Sequence, residues 1–358
     1  MKPPRIGLAL SGGGFRATAF GLGCLRALHD RDLLRHVRVV SGISGGSLLA
    51  AMWAYGPEQF DEFDDTVTSL LRKGLQLELV RRAAGPKALL RSAGSTSQSL
   101  LRGTPRSFNR TNGLISALDA RGFGTKSLES VTHPDLATVI TATDLNTMTT
   151  MRFGSDVSSN WKYGDLTGTV SVSEAVAASA AFPLLLPPVA RTFTFTGRDG
   201  STHERQVVLT DGGVYENLGL SPLLPGRDRR FTSHVYDLDY LIVSDAGRGK
   251  SITASSNYFH KRLKRSFDIT YEKSQDGGRA RLHDVGTSGQ VRGVVHSYLA
   301  QRDEKLPVYL ADLVPRSAVI NYGTNFEKVT TGDLAAITIR GEQLTRVLLA
   351  HYCPELGI

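Results

Sequence analysis

The chain has 358 residues, of which 41% are hydrophobic and 21% are charged, and its formal net charge is +8. A chain of this length and composition buries a large core, which excludes an intrinsically disordered protein. The positive charge favours anionic partners: a membrane surface, nucleic acid or an anionic substrate. The two cysteines, Cys24 and Cys353, are too few for a disulfide framework and fit a reducing compartment.

The apolar segments are too short to cross a membrane, because none approaches the roughly 20 residues that a spanning helix needs. The apolar run at residues 6–10 superficially resembles a signal peptide. It ends in glycines, however, with no small-residue cleavage site after it. We therefore expect a cytoplasmic protein, and peripheral association with a membrane stays open.

The first 55 residues alternate between short apolar runs and helical patterns. A predicted strand at residues 6–10 is followed by glycines and by a helix that reaches residue 28. A second strand at residues 37–40 is followed by another glycine-rich turn and a helix at residues 48–55. This order favours an α/β sandwich with a largely parallel sheet.

The composition changes between residues 56 and 134, where leucine and arginine are frequent and β-branched runs are few. We interpret this segment as a helical, basic insertion or lid over the site. Further strands are predicted at residues 136–143, 148–153, 193–196, 206–210 and 240–244, and further helices at residues 172–181, 258–271 and 331–350. We expect one main domain, residues 1–275, and a C-terminal extension packed on it, residues 276–358.

The second glycine turn, Gly42-Ile43-Ser44-Gly45-Gly46, has the pattern G-x-S-x-G between a strand and a helix. In a nucleophile elbow the glycines Gly42 and Gly46 permit a sharp turn that lifts the hydroxyl of Ser44 clear of the backbone. The motif alone is frequent by chance and also fits an ordinary Gly/Ser loop. Its strand-turn-helix setting favours the nucleophile.

The first glycine turn, Ser11-Gly12-Gly13-Gly14-Phe15-Arg16, admits three interpretations. Successive backbone N–H groups can form an oxyanion hole, or the turn has no chemical role. The pattern Gly12-x-Gly14-x-x-Ala17 also fits a dinucleotide-binding turn. That interpretation needs an acidic residue at the end of the second strand, where the chain has Val40-Ser41-Gly42.

A serine nucleophile needs a base, and the residue pattern leaves several candidates. Asp211 follows an apolar run and begins Asp211-Gly212-Gly213, a sequence that is often only a turn. Asp144 and Asp245 also follow apolar runs. A Ser-Asp-His triad could instead recruit His283 or His296.

Four motifs in this order resemble the patatin-like phospholipase family. They are the first glycine turn, the Ser44 turn, Ala178-Ser179-Ala180-Ala181-Phe182-Pro183 and Asp211-Gly212-Gly213. The resemblance covers roughly residues 5–250. One departure is Ala17, where the family commonly has glycine, and this is reminiscent of the cytosolic phospholipase A2 group.

The resemblance implies a three-layer α/β/α sandwich around a mostly parallel sheet, with residues 1–275 as the catalytic domain. It also implies a Ser-Asp dyad without histidine: Ser44 as nucleophile, Asp211 as its partner, and Gly12, Gly13 and Gly14 as oxyanion-hole amides. Arg16 is the family's basic residue beside them. No cofactor or metal is implied, and we find no motif for one.

The function implied is hydrolysis of carboxylic esters of phospholipids through an acyl-enzyme. The alternatives are a soluble carboxylesterase or thioesterase for short acyl chains, and a silent membrane-binding signalling module. Nine basic residues between Arg72 and Arg110 fit an anionic membrane or a solvated face, and a second basic cluster consists of Lys261, Arg262, Lys264 and Arg265. We expect no nucleic-acid partner, and an activating ligand or protein stays open.

Overall fold

A computed structural model describes residues 3–76, 78, 110–183, 185–250 and 257–356, apart from the side chains of residues 260, 264 and 267. Most of the basic residues predicted to face a membrane between Arg72 and Arg110 lie outside these ranges. Among the described residues, no helix combines the length and apolar character needed to cross a membrane.

The described strands form a ten-stranded sheet in the order β10-β9-β1-β2-β3-β4-β5-β6-β7-β8. Their bounds are β1 Ile6–Leu10, β2 Val37–Gly42, β3 Ala137–Asp144, β4 Thr149–Gly154, β5 Ser159–Asn160, β6 Gly164–Thr167, β7 Val189–Thr196, β8 Thr202–Asp211, β9 Tyr240–Asp245 and β10 Gly293–Tyr298.

The sheet has a parallel half and an antiparallel half. The strands β10, β9, β1, β2 and β3 are parallel neighbours. The strands β4 to β8 are antiparallel, and β8 returns to pair with β3, where Asp211 lies opposite Ala142. The α/β class is confirmed, but the sheet is more mixed than the expected mostly parallel one. Most links in the antiparallel half are only a few residues long, and such links join antiparallel strands.

The described helices cover both faces of the parallel half. Their bounds are α1 Gly14–His29, α2 Gly45–Tyr55, α3 Phe60–Lys73, α4 Arg110–Leu118, α5 Val172–Ser179, α6 Phe259–Thr287, α7 Arg316–Val319 and α8 Thr331–Tyr352. On one face the larger apolar cluster joins the sheet to α1, α2 and α8. On the other face Leu282 and Val285 of α6 pack with Leu218 and Leu223 against β1 and β9. The arrangement therefore has three layers.

The predicted boundary between residues 275 and 276 falls inside α6, which is one continuous helix of 29 residues. Gly277 and Gly278 interrupt the helical sequence pattern. The helix continues beyond them because Leu282 and Val285 are buried against the sheet. The C-terminal helix α8 packs along α1 so closely that a Cβ at Gly23 would overlap the carbonyl oxygen of Thr338.

Candidate active site

Ser44 lies at the sharp turn between β2 and α2. The strand ends at Gly42 and the helix begins at Gly45, so the serine precedes the first turn of α2. Its backbone has φ 50° and ψ −118°, a combination that residues with a side chain rarely adopt. This strained conformation is typical of a nucleophile elbow.

The glycines around Ser44 allow the two glycine turns to touch. A Cβ at Gly45 would overlap the carbonyl oxygen of Gly14, and a Cβ at Gly46 would overlap that of Leu10. A Cβ at Gly42 would lie 2.6 Å from the Cα of Ser47. Side chains at Gly45 and Gly46 would therefore push the Ser44 turn away from the turn that follows β1, and a side chain at Gly42 would distort the Ser44 turn itself.

The end of α5 holds the Ser44 turn from the other side. The Ser179 hydroxyl accepts a hydrogen bond from the Ser44 N–H at 2.9 Å and donates one to the Thr141 carbonyl at 2.7 Å. Two residues later, the Ala181 carbonyl accepts a hydrogen bond from the Asp211 N–H at 3.0 Å. One segment therefore positions both Ser44 and Asp211.

Asp211 is buried at the end of β8, next to Ser44. The Gly213 N–H donates a hydrogen bond to its carboxylate at 2.7 Å, and Ser44 and Asp211 line the same small pocket. Burial raises the pKa of Asp211 to about 6, and the interactions with the Ser44 side chain and the Gly213 N–H offset part of that shift. Such a carboxylate is a stronger base than an ordinary aspartate and is still ionised at neutral pH.

The structure divides the predicted oxyanion-hole glycines into two groups. The Gly12 N–H donates to the Asn217 carbonyl at 2.9 Å, so this amide is occupied within the fold. Gly13 and Gly14 have φ of 146° and 58° and line the pocket around Ser44. Gly12 therefore shapes the turn, which corrects its expected role as a donor, and Gly13 and Gly14 stay candidates.

Arg16 is buried behind the glycine turn. Its guanidinium donates to the carbonyls of Ala246 and Tyr322, both at 2.9 Å, and to the Thr324 hydroxyl at 3.0 Å. Burial, assisted by the nearby charge of Arg248, lowers the pKa of Arg16 to about 10. In this structure Arg16 links the start of α1 to residues 322–324 through these hydrogen bonds.

Two adjacent cavities lie at this edge of the sheet. The smaller one has only about 20 Å³ of free space beside Ser44 and Asp211. The larger one has about 1050 Å³. They share five lining residues, namely Phe182, Leu185, Asn217, Tyr271 and Thr324.

Comparisons with known proteins identify the family of this chain. The sequence model of a family described as patatin-like phospholipase matches residues 8–224, which is more than half of the chain. The chain belongs to the patatin-like phospholipase family. The matched region contains the Ser44 turn, the first glycine turn and Asp211.

The solved structures that it resembles have low sequence identity to this chain, and the human enzyme below shares its fold. Human GIVD cytosolic phospholipase A2 is 12% identical, with a TM-score of 0.57, over 96% of this chain and 59% of that chain. VipD from Legionella pneumophila is 15% identical, with a TM-score of 0.43, over 98% of this chain and 67% of that chain. A putative meiotic phospholipase of Saccharomyces cerevisiae is 42% identical over 45 residues, 13% of this chain and 7% of that protein. The chain therefore spans about three fifths of the human enzyme and a small part of the yeast one.

The other acid and base candidates lie away from Ser44 in this patatin-like fold. Asp144 accepts hydrogen bonds from Thr147 and Asn160 and organises the turn after β3. Asp245 is bonded to Arg279 at 2.8 Å and to His296 at 3.1 Å. Burial alone would raise the pKa of Asp245, but those two partners hold it well below its usual range. The described residues that line the Ser44 pocket include no histidine.

Three residues of the site are not indicated by the catalytic motifs. Ser179 lies inside a motif that carried the resemblance, but its sequence position does not reveal its hydrogen bonds. Asn217 follows Asp211 by six residues, and its buried Oδ1 has no hydrogen-bond partner among the described residues. Tyr271 reaches the pocket from α6, more than 200 residues after Ser44. Within the part of the chain that the structure describes, no cluster of acidic, histidine or cysteine side chains is arranged for a metal ion.

Proposed function

We propose that this protein is a lipid acyl hydrolase that cleaves carboxylic esters of phospholipids. The observation that carries the proposal is the strained Ser44, which shares a pocket with the buried Asp211 and lies in the region that matches the family. A hydroxyl on a strand-to-helix elbow beside a carboxylate of raised pKa is suited to nucleophilic attack on an ester.

In the proposed mechanism the Ser44 Oγ attacks the carbonyl carbon of the ester, and Asp211 accepts the hydroxyl proton. The N–H groups of Gly13 and Gly14 donate hydrogen bonds to the oxyanion. Collapse of the intermediate breaks the ester bond, and the leaving alcohol takes the proton from Asp211. A water molecule then attacks the acyl-enzyme with Asp211 as base, which releases the fatty acid and regenerates Ser44.

The larger cavity supports a lipid substrate. Its lining combines apolar side chains, such as Leu185 and Ile269, with the basic side chains of Arg248 and Lys250. Lys250 also pairs with Asp276 at 2.7 Å. An acyl chain and an anionic headgroup would both find complementary groups in such a cavity.

The decisive experiment measures fatty-acid release from vesicles of equal parts phosphatidylglycerol and phosphatidylcholine, with a chelator present. We expect Ser44→Ala and Asp211→Asn each to lose about a thousandfold or more of the activity, because both act in the same step. Asp144→Asn is the matched control, since Asp144 is also buried at a strand end. His296→Ala tests the triad. Hydrolysis that survives in Ser44→Ala, or that needs His296, would contradict the proposed dyad.

A soluble esterase for short acyl chains is the second candidate, and the small free volume beside Ser44 favours it. The same assay with short-chain soluble esters separates the two functions. A lipid hydrolase prefers long chains presented at an interface, whereas an esterase prefers dissolved short esters. A silent membrane-binding module would hydrolyse neither substrate.

A further inference from the structure

The start of α6 exposes a group of large apolar side chains. Four residues within twelve positions are at least 60% exposed: Tyr258, Phe259, Leu263 and Ile269. We call these four residues the α6 apolar surface. Phe259 and Leu263 are one helical turn apart and therefore lie on the same side of the helix. A cluster of exposed large apolar side chains marks an interaction site more often than scattered ones do.

One residue of the α6 apolar surface, Ile269, lies beside the candidate active site. Ile269 lines the larger cavity together with Leu185 and Tyr271. Leu185 and Tyr271 also line the pocket that contains Ser44. An apolar molecule at Ile269 would therefore lie at the larger cavity, which is adjacent to the pocket of the serine.

The charge of the same segment is complementary to an anionic partner. Lys261, Arg262 and Arg265 lie between the apolar residues, and Asp268 is the one acidic residue of residues 258–271. The side chains of Lys261 and Arg262 are exposed. Apolar and basic side chains together on the exposed part of a helix are typical of helices that lie in the interface of a membrane.

A second copy of the chain fits this surface less well than a bilayer does. In a two-fold symmetric dimer the same patch faces itself, so that Lys261 and Arg262 would approach their own counterparts. Like charges brought together in this way oppose association. An anionic bilayer offers headgroups to the basic side chains and acyl chains to the apolar ones.

We propose that the α6 apolar surface, with Lys261 and Arg262, docks the protein on an anionic phospholipid bilayer and places the larger cavity against it. This inference rests on the proposed lipid hydrolase function, because it assigns the route by which the substrate reaches Ser44. It moves the docking surface from the basic segment at residues 72–110, where the sequence suggested it, to α6.

The test is flotation of the Ser44→Ala chain with vesicles, since this variant leaves the vesicles intact. We expect binding to vesicles of equal parts phosphatidylglycerol and phosphatidylcholine and little binding to phosphatidylcholine alone. Two double substitutions are added to the Ser44→Ala chain: Phe259→Ser with Leu263→Ser, and Lys261→Ser with Arg262→Ser. We expect each of them to weaken vesicle binding by about tenfold or more.

Matched controls come from the antiparallel half of the sheet. Trp161→Ser with Phe231→Ser removes two apolar side chains that are 56% and 58% exposed. Arg205→Ser with Arg229→Ser removes two exposed positive charges. We expect the apolar control pair to keep the parent's binding and the charge control pair to lose much less than the α6 charge pair. Unchanged thermal unfolding midpoints verify that all variants are folded.

Three results would overturn the inference. In the first, the parent chain does not bind the vesicles. In the second, the α6 variants bind them as well as the controls do. In the third, the parent chain does not bind vesicles but self-associates, and Phe259→Ser with Leu263→Ser abolishes that self-association. Failure of the proposed function is recognised separately. Vesicles bound through α6 by a wild-type chain that releases no fatty acid would refute the hydrolase and retain the docking surface.

Discussion

Asp211 gives the candidate site a defined dependence on pH. As the base it must be ionised, and its pKa of about 6 means that protonation removes the reactive form as the pH falls below that value. We expect kcat/KM for ester hydrolysis to be constant above about pH 7, to be halved near pH 6 and to fall about tenfold for each pH unit well below about 6. The measurement is a pH profile on a soluble ester. A profile that is flat down to pH 4.5 would show that Asp211 is not the base.

The same carboxylate costs the protein stability at neutral pH. Burial raises the pKa of Asp211 from 3.8 to about 6, which corresponds to about 3 kcal/mol against the ionised form. The folded state therefore binds the proton more tightly than the unfolded state, so this cost is present above pH 6 and disappears as the pH falls below about 4. We expect Asp211→Asn to raise the free energy of unfolding by up to about 3 kcal/mol at neutral pH.

Denaturant unfolding of the wild type and Asp211→Asn at several pH values measures this difference. Asp144→Asn is again the control, because Asp144 accepts several hydrogen bonds and its replacement should destabilise the fold. A stability gain of Asp211→Asn that does not shrink toward acidic pH would argue against the buried charge as its cause.

The candidate catalytic residues were easier to predict from sequence than the residues that position them. Ser44 and Asp211 are recognisable because short glycine motifs surround each of them, and the structure places both residues in the same pocket. The distinction among Gly12, Gly13 and Gly14 was not available from sequence. It depends on the hydrogen bond from Gly12 to Asn217, a residue that lies 205 positions away.

At the scale of elements, the contact between α1 and α8 depends on glycines. A Cβ at Gly23 would overlap the Thr338 carbonyl oxygen, and a Cβ at Gly341 would overlap that of Phe20. We expect Gly23→Ala and Gly341→Ala each to lower the free energy of unfolding by about 1–3 kcal/mol, because the two helices must move apart.

Gly277→Ala is the matched control for these two variants. Gly277 is also inside a helix, α6, but nothing lies within 4 Å of the position that its Cβ would take. Alanine there should raise the free energy of unfolding by about 1 kcal/mol through helix propensity alone. Denaturant midpoints measure all three variants, and equal effects at all three positions would contradict the packing explanation.

The elements that sequence predicts best are those with strong local patterns. The strands β1 and β2 and the helix α2 lie within a few residues of their predicted bounds, since apolar runs and glycine turns delimit them. The short strands β5 and β6 have no such pattern, and β10 was not predicted either. The helix α6 is twice as long as expected because burial of its second half against the sheet outweighs the low helix propensity of Gly277 and Gly278.

At the scale of the molecule, the candidate catalytic residues lie at one edge of the parallel half of the sheet. Ser44 and the first glycine turn follow the carboxyl ends of β2 and β1, which is where ligands bind in open α/β sheets. The antiparallel β8 brings Asp211 to the same edge through its pairing with β3. The larger cavity, which Ile269 of α6 lines, borders this edge, so the proposed route of substrate entry and the candidate catalytic residues lie on one side of the protein.

The net charge of +8 makes the proposed docking sensitive to salt. Raising the salt from about 0.05 M to about 0.5 M shortens the screening length severalfold and weakens attraction between exposed charges. We expect flotation with phosphatidylglycerol vesicles to weaken by about tenfold or more over this range, because each basic side chain near the bilayer loses part of its attraction. Hydrolysis of an uncharged soluble ester should change little, since the burial of Ser44 and Asp211 shields that step from screening. Vesicle binding that is independent of salt would mean that apolar contacts alone hold the protein on the bilayer, whereas parallel losses of binding and soluble-ester hydrolysis would indicate an effect of salt on the fold.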